Sequence, residues 1–476
     1  MNNNTKALMK AVKLCEKDAG EKGYFSPSFH LSPPTGWMND PNGLSEFNGK
    51  HHIFFQYSPF FSCPGMNYWG HFATENFVDF EYLEPAICCD QNFDCHGVYS
   101  GSALIENGKM TIFYTGNVKY CGNYDYIYSG REHNTIYVES DDGINFGEKN
   151  LLMINSDYPR GVSCHVRDPK VWKNGEKYYM ILGARTKKDR GECLLYTSTD
   201  KENWELANCI RSKKSFGYMW ECPDYFEIGK EKFLSACPQG VKAEGYRYNN
   251  IYQSGYFKVD GDIESDYNLK QFTEYDCGFD FYAPQTYLDS KNRRIMIGWM
   301  GLPDSPYKNP DDKWFQCLTL PCELSADNNG NICRYPIEEI NSLHTDEKSE
   351  TIANSDYISP KFMTCDAIIK YNSNPDKIFI NIKRDISLNY SDNILTLSLG
   401  QSGMGRSKRS CGISNISEIR ILCDTSCIEI FINKGEKVFS TRYCDPNPIG
   451  EIASTKFNGE VEFHHMKSIN IVNKNK

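Results

Sequence analysis

Three acidic residues stand in short, stiff, polar surroundings: Asp40 within GWMNDPNG (residues 36–43), Asp168 within RDP (167–169) and Glu221 within ECP (221–223). Two carboxylates flanking an acetal or ketal carbon are the equipment of glycoside hydrolysis. One attacks the anomeric carbon in its ionised form, and the other donates a proton to the leaving oxygen. A third acid can orient sugar hydroxyls and favour the oxocarbenium-like transition state. These roles need opposite protonation states. Trp220 and Cys222 beside Glu221 predict a low-polarity wall that keeps it protonated, whereas Asn39, Asn42 and turn amides around Asp40 predict an ionised carboxylate. Singly, each acid also has a plainer reading: Asp40-Pro41 as a turn former, Asp168 as an ion pair with Arg167, Glu221 as a solvated strand end.

What argues for a joint role is a repeat. Strand, tight turn, strand recurs with turns at Asn48-Gly49, Asn107-Gly108, Asn174-Gly175, Gly229-Lys230 and near Lys291-Asn292, about 55 to 65 residues apart. Seven or eight positions before one or other turn residue stand Asp40, Ser100, Asp168, Glu221 and Ala283. Five hairpins, each trailing further strand-like segments, predict an all-β chain built on a five-bladed β-propeller, whose inner strands bring equivalent positions to one channel. The pattern stops near Gly298–Pro303. A passage rich in Pro and Asp follows (Pro303, Pro306, Pro310, Asp311, Asp312), and then short alternating strands predict a C-terminal β-sandwich. The expected division is an N-terminal helical extension over residues 1–24, a propeller over 25–335 and a sandwich over 350–476.

Composition narrows the partners. The 476 residues are 14% aromatic and 24% charged, with a net charge of −10, a folded profile that argues against nucleic acid as partner. No stretch approaches the roughly 18 apolar residues of a membrane span. Lys6, Lys10, Lys13 and Lys17 interrupt the first segment, so it reads as an amphipathic helix rather than an export signal, and the expected location is cytoplasmic. The 20 cysteines lack paired spacing and read as reduced, mostly buried thiols; Cys317/Cys322 and Cys423/Cys427 lack the pattern of a zinc site. No metal or organic cofactor is expected. His51-His52 reads as packing, and the default assembly is a monomer or homodimer.

WMNDPNG, RDP and ECP resemble the three acidic motifs of glycoside hydrolase family 32, the invertases and other β-fructofuranosidases. The likeness continues in HLSPPTGWMND from His30, FFQYSP with Gln56, YWGHFAT with Trp69, VYSGSAL with Tyr99 and Ser100, and the stretch from Asp280. It implies a propeller followed by a sandwich and a retaining double displacement. In that reading Asp40 is the nucleophile, Glu221 the acid/base, and Asp168 the transition-state stabiliser with Arg167 beside it. Trp37, Met38, Asn39, Gln56, Trp69, Tyr99 and Ser100 are the fructose-binding wall. Tyr99 departs from the family's usual Phe, which alters that contact.

The substrate expected is a small sugar, sucrose or sucrose 6-phosphate, because FYAPQT and GYFKVDGD look most like the intracellular bacterial members that act on sucrose 6-phosphate. A phosphate on the leaving sugar needs Arg or Lys at the rim, and Lys242 and Arg247 are the candidates. The alternatives are a non-catalytic carbohydrate-binding propeller, which would be expected to lack one of the acids, and a fructosidase acting mainly on short fructo-oligosaccharides. Arabinosides are disfavoured by WMNDPNG and YWGHFAT.

Overall fold

The computed structural model describes residues 3–20, 22–305 and 313–475. Pro306, Pro310, Asp311 and Asp312 of the passage expected to close the repeat lie outside the described residues. Helix α1 (Asn3–Ala19) buries Met9 and Val12, and its Glu16 accepts hydrogen bonds from Tyr57 and Tyr82, fastening it to the first sheet. No helix among the described residues is long and apolar enough to cross a membrane.

Every remaining regular element is a strand apart from two short 3-10 turns. The first sheet contains β1 (Gly36–Phe47), β2 (Lys50–Ser58), β3 (Tyr68–Thr74) and β4 (Asp79–Ile87). The second contains β5 (Val98–Glu106), β6 (Lys109–Lys119), β7 (Arg131–Ser140) and β8 (Asn150–Met153). β9 (Val162–Asn174), β10 (Lys177–Thr186), β11 (Gly191–Ser198) and β12 (Glu205–Ile210) form the third. The fourth holds β13 (Met219–Ile228), β14 (Glu231–Gln239), β15 (Gly255–Gly261), β16 (Tyr267–Leu269) and β17 (Thr273–Glu274). β18 (Tyr282–Leu288) and β19 (Arg294–Met300) open the last, which β21 (Cys317–Leu318), β22 (Cys322–Ala326) and β23 (Ile332–Pro336) complete, while β20 (Trp314–Phe315) joins the first.

The expectation of five equivalent blades is corrected to four. Four sheets follow the four-strand antiparallel path of a blade: β5 to β8, β9 to β12, β13 to β16, and β18-β19-β22-β23. The sheet that carries Asp40 is instead a six-stranded composite. β20 adds in parallel beside β1, and the C-terminal strand Asn470–Asn473 adds in parallel beside β4. Hairpin spacing counts turns but is blind to what pairs at a sheet edge, and here two remote segments cover both edges. The composite sheet closes the ring: β1 adjoins β5, then β9, β13, β18 and β1 again. The C-terminal β-region follows the propeller as the sequence suggests. Strands between Lys348 and His465 hydrogen-bond into one ten-stranded sheet, sandwich-like in that it folds over a core of Ile and Leu.

Local chemistry explains the hairpins. Phe47 pairs with Lys50 and Glu106 with Lys109, leaving two-residue turns at Asn48-Gly49 and Asn107-Gly108 in which every φ is positive, the conformation Asn-Gly adopts most readily. In the third sheet Asn174 pairs with Lys177, so that turn is Gly175-Glu176, one residue later than the sequence suggested. β2 is buried on both faces because sheets pack against both of its sides, hence the unbroken run Ile53-Phe54-Phe55.

The two halves meet through a buried chain of alternating charge. His30 Nδ1 lies 2.8 Å from Asp424, and its Nε2 lies 3.2 Å from Glu429. Arg334 bridges Glu429 at 3.3 Å and Asp276 at 2.6 Å.

Candidate active site

The same irregularity marks all five inner strands. Pairing slips between Met38 and Pro41, Tyr99 and Gly101, Arg167 and Lys170, Glu221 and Asp224, and Tyr282 and Gln285. Pro41, Pro169, Pro223 and Pro284 sit in four of these slips, where a residue without an N–H cannot continue the ladder. A bulge bends the strand and re-aims the neighbouring side chain. Asp168, Cys222 and Ala283 take positive φ there (64°, 46° and 46°). The residue in register with Asp40 and Asp168 on β13 is therefore Cys222, and Glu221 stands one position earlier.

These bulges gather the three acids. Cys222 connects two of them: its backbone N–H donates to Asp168 Oδ2 at 2.9 Å, and its Sγ lies 3.6 Å from Asp40 Oδ2 and 3.7 Å from Asp168 Oδ2. Arg167 connects the third, with Nε 3.1 Å from Glu221 Oε1 and 3.9 Å from Asp168 Oδ2. Asp40 accepts from Ser100 Oγ at 2.6 Å and from Asn39 Nδ2 at 3.1 Å. Glu221 Oε2 accepts from Tyr282 Oη and Gln239 Nε2, each at 2.6 Å.

The electrostatics differ from expectation at Asp40. Burial pushes its carboxyl above the usual range; the Ser100 bond works against this, and the nearby Glu221 reinforces it. Burial pushes Asp168 up to about 7 against the pull of Arg167, with Glu221 adding to the rise. Burial works against the charge on Arg167, but Glu221 and Asp168 hold it firmly protonated. The apolar wall expected beside Glu221 is not its surroundings: Trp220 is buried among Ile181, Leu195 and Phe257, and polar donors hold the carboxylate.

The binding residues fall into three groups. Asn39, Ser100 and Arg167 touch the acids directly, and Tyr99 lies near enough to Arg167 and Glu221 to sense both charges. Trp37 donates to Asn39 Oδ1 at 3.0 Å and packs edge-on against Trp299 and Phe315. Trp69 is fully buried and donates to the Tyr99 carbonyl at 3.1 Å, positioning β5. Gln56 is buried, with Oε1 accepting from Asn67 at 2.7 Å and Nε2 without a partner among the described residues. Met38 is not brought to the acids; it lies fully buried in the core of the first sheet. Arg247 donates to the Phe272 carbonyl and lines a crevice with Arg409 and Lys437, and Lys242 is exposed, so neither joins the acids. His51 and His52 pack against Tyr287 and His71.

Sequence reasoning missed Gln239 and Tyr282, whose signal was at most their place at an inner strand or its partner, and it gave Cys222 only as an apolar neighbour of Glu221. All twenty cysteines are free. Among the described residues the one group whose donor atoms lie close enough to hold a metal ion is His30, Asp424 and Cys427, at the junction rather than among the acids. Both His30 nitrogens there already face carboxylates.

The family model for the glycosyl hydrolases family 32 N-terminal domain matches residues 30–336, and that for the family's C-terminal region matches 365–472. A sucrose-6-phosphate hydrolase of Bacillus subtilis is 36% identical over 436 residues, covering 87% of this chain and 88% of its own. A raffinose invertase of Escherichia coli is 33% identical, covering 91% and 93%. Among solved structures, the sucrose-6-phosphate hydrolase of Lactobacillus gasseri superposes with a TM-score of 0.87 at 27% identity, covering 97% and 96%. A Bombyx mori GH32 β-fructofuranosidase mutant in complex with sucrose gives 0.83 at 28%, covering 99% and 100%. The chain therefore belongs to glycosyl hydrolase family 32 and is a glycoside hydrolase.

Proposed function

We propose that this enzyme hydrolyses the β-fructofuranosyl bond of sucrose 6-phosphate and of sucrose, substrates that the names of its relatives suggest, and that it does so by double displacement with retention. The observation that carries the reading is the convergence of Asp40, Asp168 and Glu221, from three inner strands, on shared contacts through Cys222 and Arg167. Asp40 attacks C2 of the fructofuranosyl ring while Glu221 protonates the glycosidic oxygen, so the C2–O bond breaks and a fructosyl ester forms on Asp40. Glu221 then takes a proton from water, whose oxygen attacks C2 and frees the Asp40 carboxylate. Asp168 binds fructose hydroxyls, more strongly as positive charge develops on the ring. Arg167 ties Glu221 to Asp168. Residues 25–335 form the catalytic unit in this reading, and a sugar phosphate as substrate places the work in the cytoplasm.

The test is kcat/KM for sucrose and sucrose 6-phosphate side by side, with Asp40→Ala as control. Cleavage of both by the wild-type enzyme, abolished in the variant, is the expected result. A wild-type enzyme inert towards both overturns the proposal.

A further inference from the structure

Beyond Arg167, which pairs with Glu221, the fold leaves positive charge unmatched. Arg167 directs Nε and Nη2 to Glu221 and turns Nη1 to Nδ1 of His165, 2.6 Å away. A guanidinium only donates, so Nδ1 is the acceptor and the neutral imidazole carries its proton on Nε2. Burial and the neighbouring Arg167 and Arg131 push the His165 pKa far down, in keeping with that neutral form. The Nε2 proton is satisfied by the Tyr126 carbonyl at 3.0 Å. Arg131 Nη1, 3.4 Å from the same Nε2, therefore faces an N–H and not a lone pair.

Among the described residues Arg131 thus lacks an acceptor. Its Nε is enclosed without a partner, and no carboxylate among the described residues pairs with its guanidinium. Next to it His133 is fully buried with neither ring nitrogen bonded, 5.5 Å from the His165 ring and 5.6 Å from that of Tyr99. Lys119, at the end of β6, is close enough to Arg131 to feel its charge and stands over the Tyr126 ring at 5.6 Å. The loop between β6 and β7 exposes Tyr124 and Tyr128, flat apolar faces of the kind that stack on sugar rings. A guanidinium withdrawn from water without an acceptor is unfavourable, and an anion with several oxygens relieves it.

We propose that Arg131, assisted by Lys119, is the subsite for the phosphate of the leaving sugar, in place of the Lys242 and Arg247 that sequence suggested. This rests on the reading of Glu221 as the acid/base, because the leaving group is the partner that Glu221 protonates. A phosphomonoester on that hexose carries up to two negative charges and three acceptor oxygens to a guanidinium that has no other acceptor, two side chains along from Glu221. His165 is a positioning residue, a neutral wedge that keeps the engaged guanidinium of Arg167 apart from the unengaged one of Arg131. The subsite selects for phosphorylated over plain disaccharide without taking part in bond cleavage.

The experiment measures kcat/KM on sucrose 6-phosphate and on sucrose for the wild-type enzyme, Arg131→Met, Arg131→Lys and Lys119→Met. The ratio of phosphorylated to plain substrate is expected to fall about tenfold or more in Arg131→Met, mainly through KM, and about threefold in Lys119→Met, with Arg131→Lys retaining part of the preference. Lys119 is exposed, so its variant gives a reading even if Arg131→Met folds poorly. Equal losses on both substrates, or an unchanged ratio in all variants, overturn the proposal. Calorimetry with glucose 6-phosphate and glucose separates this from a failure of the proposed reaction. The wild-type protein should bind the phosphate about tenfold more tightly, a difference that Arg131→Met removes; equal binding of the two sugars overturns the subsite whatever the enzyme cleaves.

Discussion

Two buried clusters in this protein are made from the same ingredients and behave in opposite ways. At the junction, Asp424, His30, Glu429, Arg334 and Asp276 form a row of alternating sign. Its inner members have opposite charges on both sides: although burial works against each charge, His30 is raised to about 10 and Glu429 is held below the carboxylate range, and Asp424, at one end, is held low by His30 together with the backbone N–H groups of Ser28 and Phe29. Asp276 ends the row with one cation, and burial pushes it up to about 6. Among the acids of the inner strands, Arg167 serves Glu221 and Asp168 while Asp40 is held by the neutral donors Ser100 and Asn39, and both Asp40 and Asp168 are driven upward. A matched row locks its protons in place, whereas a carboxylate excess leaves protons ready to move.

The comparison breaks most visibly if the excess is not functional. Asp40→Ala and Glu221→Ala should each lower kcat on the order of ten-thousand-fold while thermal unfolding stays at or above the wild-type temperature, because each removes an acid from a crowded set. Loss of stability with activity per folded molecule intact would reduce these residues to structural ones.

At the junction the pattern reverses. Removing His30 leaves Asp424 and Glu429 buried without their shared cation, so His30→Leu should destabilise by about 3–5 kcal/mol with kcat per folded molecule unchanged. The pH dependence has a definite sign. A histidine raised from 6.5 to about 10 contributes stability that is complete below pH 6.5 and is lost as pH rises through 10. Denaturant titrations between pH 6 and 10 should show that decline in the wild-type protein and a flatter profile in the variant.

What could be read from the sequence was local. Asn-Gly pairs announced turns because their side chains tolerate positive φ, whereas Asp-Pro and Glu-Cys-Pro read singly as a turn former, an ion pair or a strand end, and the bulges their prolines mark appear only in the pairing of the strands. Edge pairing was not legible: nothing in Trp314-Phe315 or Asn470–Asn473 says that each will lie beside a strand hundreds of residues away, so one sheet became a composite and the blade count changed. Met38 shows the limit of borrowing a motif whole, since three polar or aromatic neighbours reach the acids or their partners while the methionine fills the core. Tyr282 and Gln239 sit in runs with no acidic motif, and only tertiary structure brings them to Glu221. Arg131 is one of many charged residues until the tautomer of His165 shows that it has no acceptor.

Asp168 sharpens the contrast within one residue. Its proton contributes stability that is complete below pH 3.8 and is lost as pH rises through about 7, so the ionised carboxylate is held against the preference of the fold. Asp168→Asn keeps an acceptor for the Cys222 N–H and cannot ionise. It should be more stable than the wild-type protein at pH 8, by roughly 1–4 kcal/mol, lose that margin near pH 4, and lower kcat about a hundredfold or more. A margin independent of pH would show that Asp168 is not strained in its ionised form.

The smallest effect comes from a matched pair of hydroxyl deletions. Tyr282 donates to Glu221 Oε2, and Tyr443 donates to the Asp424 carbonyl at the junction; both rings are buried. Tyr282→Phe removes one charge-assisted bond but leaves Gln239 in place, so kcat/KM should fall about tenfold with little change in unfolding temperature. Tyr443→Phe removes a bond to a neutral carbonyl and should lower stability by about 1 kcal/mol with kinetics untouched. The same atom is deleted in both, so the difference between their readouts isolates surroundings from chemistry. Two variants that lost stability alone would mean that Glu221 needs no help from its neighbours to hold or release a proton.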